Sequence, residues 1–131
     1  MTVVIDAGVV ASALLSSVED GEWALSLLAV NPLAAPHQMP AEAANVLRRA
    51  ELAGRIDAQT AALAHDDLLD LRVELFSFEP FAARAWELRQ SVTIYDAWYV
   101  ALAEHLDAPL ATLDLRLSRA PGPRCAFLTP R

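Results

Sequence analysis

The run Thr2-Val3-Val4-Ile5-Asp6 decides the fold class of this 131-residue chain. Its first four residues are all β-branched and form one continuous run, which is typical of a central parallel strand covered on both faces. Asp6 follows at once, where a helical pattern begins. The stretch Pro109-Leu110-Ala111-Thr112-Leu113 has the same character and ends at Asp114. Because the carboxyl ends of parallel strands lie at one edge of a sheet, we expect Asp6 and Asp114 to lie close together.

Strand and helix patterns alternate along the rest of the chain. Helical periodicity predicts helices at about residues 7–17, 20–30, 39–53, 57–70, 80–90 and 96–106. Further strands are predicted at residues 33–35, at 73–75, where the alternation is typical of a sheet edge, and at 126–128. This order implies right-handed crossovers. We therefore predict an α/β fold, a three-layer α/β/α sandwich with a mainly parallel sheet of about five strands, in which residues 1–131 form a single domain.

The composition limits the class of protein to which the chain can belong. The hydrophobic fraction is 55%, yet no apolar run approaches the roughly 18–20 residues that a membrane span needs. The chain begins with a strand pattern rather than a charged leader, and its single cysteine excludes an internal disulfide. We therefore expect a cytoplasmic protein with no membrane association. The surplus of apolar residues predicts an interface, which we assign to the helices within residues 7–30 and 57–70.

Four carboxylates lie where a strand ends or a helix begins, and they are Asp6, Glu42, Asp96 and Asp114. Each one alone is explained by helix capping or by the helix dipole. Together they are not, because like charges about 4 Å apart repel by about 4 kcal/mol at an effective dielectric near 20, which the dipole cannot offset. Such a cluster must bind protons or cations. Oxygen ligands without His or Cys favour Mg²⁺ or Mn²⁺, a chemistry that suits phosphodiester cleavage.

The charged residues argue both for and against this interpretation. A net charge of −7 opposes a nucleic-acid partner, but bound cations would offset the four acids. All ten basic residues are arginines. The absence of lysine argues against receiver domains and aspartate-nucleophile phosphatases, which need a lysine near the phosphoryl group. Three of the arginines lie near the site acids in sequence and either contact phosphates or form a solvated surface: Arg48, Arg49 and Arg116.

Three segments of the sequence contain the other site acids, Glu42, Asp96 and Asp114. They are MPAEAANVLRR at residues 39–49, YDAWYVALAE at residues 95–104 and PLATLDLRL at residues 109–117. With the strand that ends in Asp6, these segments resemble PIN-domain ribonucleases of the VapC toxin type, which belong to type II toxin–antitoxin systems. The resemblance spans nearly the whole chain and implies a metal-dependent endoribonuclease. It also implies an antitoxin partner, an RNA substrate and a homodimer.

The resemblance also assigns roles to individual residues. It implies that the four acids, Asp6, Glu42, Asp96 and Asp114, are the catalytic metal ligands, and that Thr112 supports the last of them. No further acid follows Asp114 within its turn, so of one or two Mg²⁺ or Mn²⁺ ions we expect one to be held tightly. We expect Trp98 and Tyr99 to pack in the core rather than to stack on a base. The alternative is a non-catalytic interaction module of the same fold, in which the acids are helix caps.

Overall fold

The structure, a computed structural model, describes residues 1–16 and 19–131. Five parallel strands form one sheet in the order β3-β2-β1-β4-β5. They are β1 (Val3–Ile5), β2 (Leu33–Pro36), β3 (Glu74–Phe76), β4 (Leu110–Ala111) and β5 (Phe127–Leu128). The β-branched strand β1 is central and completely buried, and β3 lies at an edge. These features confirm the predicted parallel sheet of about five strands.

Seven helices join the strands within the described residues: α1 (Ala7–Leu15), α2 (Gly21–Val30), α3 (Met39–Leu52), α4 (Ala58–Asp70), α5 (Ala82–Glu87), α6 (Ile94–Leu106) and α7 (Leu115–Ser118). Helices α1 to α4 pack on one another, whereas α6 packs on β1, β2, β4 and α5. Right-handed crossovers place the connections leading from β1 towards β3 on one face and the return to β4 on the other. The predicted three-layer α/β/α sandwich is therefore confirmed.

Two predicted helix boundaries are wrong, and a third is only partly described. Helix α1 reaches Leu15 and the left-handed Ser16, whereas Ser17, where we placed its end, lies outside the described residues. The helix predicted from Pro80 to Gln90 divides into a 3₁₀ turn (Glu79–Phe81) and the short α5. Helix α6 begins at Ile94 rather than at Asp96, because the Thr93 side chain caps it.

An ion-pair network that the sequence did not predict anchors α6. Arg84 of α5 donates from Nε to Oε1 of Glu104 at 2.8 Å and from Nη2 to Oε2 at 3.1 Å. The same Nη2 donates to the carbonyl of Gly122, and the Arg124 N–H donates to Glu104. These bonds connect α5, α6 and the loop before β5. They stabilise the helix that carries Asp96 and Tyr99.

The apolar surface predicted on the helices within residues 7–30 and 57–70 is partly buried against the core. Trp23, Leu27 and Leu28 are half-buried and pack against the core. The large apolar residues that stay exposed on α2 and α4 are Leu25, Val30, Leu63 and Leu69. No helix among the described residues is both long and apolar enough to cross a membrane.

Candidate active site

The four predicted site acids line a single cavity of about 420 Å³. Asp6 directly follows β1 and Asp114 closely follows β4, while Glu42 and Asp96 lie in the first turns of α3 and α6. The chain leaves β1 towards β2 and leaves β4 towards β5, in opposite directions along the sheet, so a crevice opens between the carboxyl ends of β1 and β4. Residues up to 108 positions apart in sequence therefore share this crevice.

Asp6 caps α1 while its carboxylate faces the cavity. Its Oδ1 accepts a hydrogen bond from the Val9 N–H at 2.9 Å. The pKa of Asp6 is raised from 3.8 to about 6, mainly by burial and to a smaller extent by the negative charges of Asp96 and Glu42. The Thr112 hydroxyl and the Val9 N–H act in the opposite direction by stabilising the carboxylate. In the metal-free protein, Asp6 therefore titrates at about pH 6.

Glu42 is held by a residue that the sequence placed only in the core. The Tyr99 hydroxyl donates a hydrogen bond to Oε1 of Glu42, with 3.0 Å between the two oxygens. Tyr99 is buried, as expected, and burial together with Glu42 raises the pKa of its hydroxyl, which therefore stays a donor. The sequence signal for a role of Tyr99 in the site is its spacing, because Tyr99 follows Asp96 by three residues and so lies on the same face of α6.

Asp96 is not a helix cap, contrary to the prediction that it opens α6. Thr93 is the cap, and its Oγ1 accepts from the Asp96 N–H at 3.1 Å. The pattern of Thr followed three residues later by an acid is a known start signal for a helix, and it identifies Thr93. Burial raises the pKa of Asp96, and the charge of Asp114 raises it further. Its carboxylate is therefore available to the cavity.

Thr112 links the ends of β1 and β4. Its side chain is completely buried, and its Oγ1 accepts from the Asp114 N–H at 3.0 Å. Asp114 in turn caps α7, because its Oδ1 accepts from the N–H groups of Arg116 and Leu117 at 2.9 and 3.2 Å. The placement of Thr112 beside both Asp6 and Asp114 suits the supporting role that we predicted for it.

The four carboxylates are ligands of the type that a hard divalent cation prefers, although they lie too far apart to coordinate one ion together as they stand. Carboxylate oxygens from four residues face one cavity, and burial, with a further contribution from neighbouring acids, raises the pKa of Asp6, Glu42 and Asp96. Within residues 1–16 and 19–131, however, no three such groups are spaced to hold an ion. The like charges of these acids repel one another, and a bound cation would offset that repulsion. The role of these acids as metal ligands stays a prediction.

The three candidate arginines occupy different positions around the site, and all are exposed. Arg49 lines the acid cavity. Arg116 lines an adjoining cavity of about 500 Å³ that shares Asp96 and Asp114. Arg48 lines neither of these two cavities. The structure therefore brings two of the three arginines to the acids.

Known proteins are similar to this chain in sequence and in fold. The PIN domain family model matches residues 3–123. Ribonuclease VapC1 of Mycobacterium tuberculosis is 41% identical over 123 residues, which are 93% of this chain and 92% of VapC1.

Two solved structures are similar in fold. One is the crystal structure of VapC20, a sarcin–ricin loop cleaving toxin of Mycobacterium tuberculosis, with a TM-score of 0.68 and 17% identity. The aligned region covers 89% of this chain and 93% of the VapC20 chain. VapBC2 from Rickettsia felis, solved bound to a DNA fragment from its promoter, has a TM-score of 0.67 and 18% identity over 100% of both chains. The chain therefore belongs to the PIN-domain family and, within it, to the VapC ribonucleases.

Proposed function

We propose that this protein is a metal-dependent endoribonuclease that acts as the toxin of a toxin–antitoxin pair. The observation that carries the proposal is the convergence of Asp6, Glu42, Asp96 and Asp114 on one cavity at the carboxyl ends of β1 and β4. The 41% identity to a protein named a ribonuclease supports RNA as the substrate. The fold shared with VapC20, described as a toxin that cleaves the sarcin–ricin loop, is consistent with it.

In this proposal the four carboxylates would hold one or two Mg²⁺ or Mn²⁺ ions. A divalent ion at such a site supplies an activated water molecule and offsets charge on the leaving oxygen. The chain itself positions the acids. Tyr99 orients Glu42, the cap bonds orient Asp6 and Asp114, and Thr112 lies beside both of these aspartates.

The alternative of a non-catalytic module, whose acids are only helix caps, explains half of the site. Asp6 and Asp114 do accept backbone N–H groups, as caps should. Asp96 leaves that role to Thr93, and Glu42 accepts from a tyrosine hydroxyl rather than from a backbone N–H. Capping gives no reason for Glu42 and Asp96 to face the other two acids. We therefore favour the enzyme.

An antitoxin partner and a homodimer belong to the same proposal. A groove of about 530 Å³ between α1 and α3 is lined in large part by apolar side chains, among them Ala11, Leu15, Val46, Ala50 and Ile56. Such a groove suits an apolar segment of an antitoxin, and coexpression with that antitoxin should suppress RNA cleavage in cells. Light scattering of the chain alone measures whether it forms a homodimer.

Cleavage of RNA by the purified protein tests the nuclease activity. We expect internal cleavage with Mg²⁺ or Mn²⁺, none in excess EDTA, and none by the Asp96→Asn variant. The exposed cap substitution Asp57→Asn is the matched control and should keep full activity, because Asp57 caps α4 away from the cavity. Cleavage that persists in EDTA and is equal in Asp96→Asn would contradict the proposal.

A further inference from the structure

The cavity of about 500 Å³ that adjoins the acid cavity carries arginines. The two cavities share Asp96, Asp114 and Leu117. From there the second cavity follows residues 89–93, which join α5 to α6, and it is also lined by Arg89 and Arg116. We name it the arginine cleft. A polymer whose backbone lies at the acids can continue into this cleft without leaving the surface.

The arginines of the cleft have no acidic partner among residues 1–16 and 19–131. Salt bridges in that part of the chain involve Arg84 and Arg131 instead. Arg89 uses Nη1 to donate to the Trp86 carbonyl, and a guanidinium has five N–H donors, so most of its donors face solvent. In a protein of net charge −7, two unpaired guanidinium groups beside the site are suited to phosphate.

An exposed aromatic residue lies beside the cleft. The guanidinium of Arg89 lies 4.6 Å from the ring centroid of Trp86, a cation–π contact. Trp86 is 60% exposed, although it is a large apolar side chain on the short α5. An aromatic face next to arginines is the combination with which proteins bind single-stranded nucleic acid, because bases stack on the ring while arginines contact the backbone.

We infer that the arginine cleft, together with the adjacent Arg89–Trp86 pair, binds the single-stranded RNA that lies to one side of the cleaved phosphodiester. The identity of the polymer rests on the proposed nuclease function. The cleft supplies charge complementarity through Arg89 and Arg116, and Trp86 supplies a stacking surface. That surface requires an unstacked base, which favours a single strand over a duplex. An acidic peptide would use the arginines but would leave the ring without a role.

The test measures RNA binding without metal and without cleavage. A short fluorescein-labelled single-stranded RNA is titrated in EDTA, and fluorescence anisotropy gives the dissociation constant at several salt concentrations. All variants carry Asp6→Asn, which prevents cleavage and changes an acid that does not line the cleft. Because neither metal nor catalysis enters the readout, loss of the proposed nuclease activity would leave this test intact.

Arg89→Ala and Arg116→Ala should each weaken RNA binding about tenfold and reduce the salt slope by about 0.7 for each lost phosphate contact. Trp86→Ala should weaken binding by a similar factor with an unchanged slope, because stacking on a ring releases no counterions. The control is Arg72→Ala, an exposed arginine beside the edge strand β3, which should bind RNA like the parent.

Two results would overturn the inference. One is equal RNA affinity in the Arg89, Arg116 and Arg72 variants. If the same substitutions in the active enzyme also leave the KM for RNA cleavage unchanged, the cleft inference fails while the nuclease proposal stands. The other is binding of poly-glutamate as tightly as the RNA, with the same loss in the arginine variants and none in Trp86→Ala. That outcome would assign the cleft to an acidic protein segment.

Discussion

Asp6→Asn should stabilise the metal-free protein although it alters a residue of the predicted site. The substitution removes the charge but keeps the helix cap, since Asn is as good a cap as Asp and can still accept from the Val9 N–H. What it removes is the cost of ionising a carboxyl group whose pKa burial raises from 3.8 to about 6. The sign of this effect is opposite to that of an ordinary surface aspartate.

The magnitude follows from the two pKa values. The folded state holds the Asp6 proton more tightly than the unfolded state, so wild-type stability falls as pH rises from about 3.8 to about 6 and then levels off. A shift of about two units corresponds to about 3 kcal/mol once both states are ionised. Between about pH 5 and about pH 8 the wild type should lose about 1–1.5 kcal/mol through Asp6. Asp6→Asn should lose none of this stability, so the difference in free energy of unfolding between the variant and the wild type should widen by about the same 1–1.5 kcal/mol.

Urea unfolding in metal-free buffer across this pH range measures the difference directly. Asp57→Asn is the matched control, because Asp57 caps α4 in the same way, with Oδ1 accepting from the Thr60 N–H at 2.7 Å. The pKa of Asp57 is lowered, mainly by that backbone hydrogen bond, so its contribution to stability is present above the unfolded pKa and is lost only as pH falls through the folded value. Its effect should therefore be constant between about pH 5 and about pH 8. An Asp6→Asn advantage that does not grow with pH, or that matches the control, would refute the reasoning.

Three further predictions concern the other contacts of the site. Tyr99→Phe keeps the buried ring but loses the bond to Glu42, so Mn²⁺ binding by calorimetry should weaken about tenfold or more while the melting temperature changes little; unchanged affinity would show that the bond does not position Glu42. Thr93→Ala should reduce the free energy of unfolding by about 0.5–2 kcal/mol, since it removes the α6 cap, and a neutral result in urea would contradict that assignment. Asp96→Asn should raise the melting temperature in EDTA, because it relieves repulsion between the acids. In Mn²⁺ the variant should be stabilised less than the wild type, for which an ion concentration of about a hundred times the dissociation constant contributes about 2.7 kcal/mol. Equal metal responses in the two proteins would rule out a shared site.

Much of the fold could be predicted because the relevant signals are local. The continuous β-branched run before Asp6 can be buried on both sides only in the centre of a sheet, and the alternation at residues 73–75 suits the edge strand β3. Helix starts were harder to predict. Near α6 both Thr93 and Asp96 are acceptable caps by residue type. The three-residue spacing between them favours Thr93, and the bond from the Asp96 N–H to the Thr93 hydroxyl confirms it.

The sequence by itself determined the parallel α/β architecture and the list of four acids, because strand ends and helix starts are set by near neighbours in the chain. It did not determine the contacts across the cavity. The Tyr99–Glu42 bond joins residues 57 positions apart, and the arginine cleft brings Arg89 and Arg116 beside Asp96 and Asp114. Such contacts depend on how α3 and α6 pack against opposite faces of the sheet, and a local pattern contains no information on that packing. Only the tertiary structure decided them.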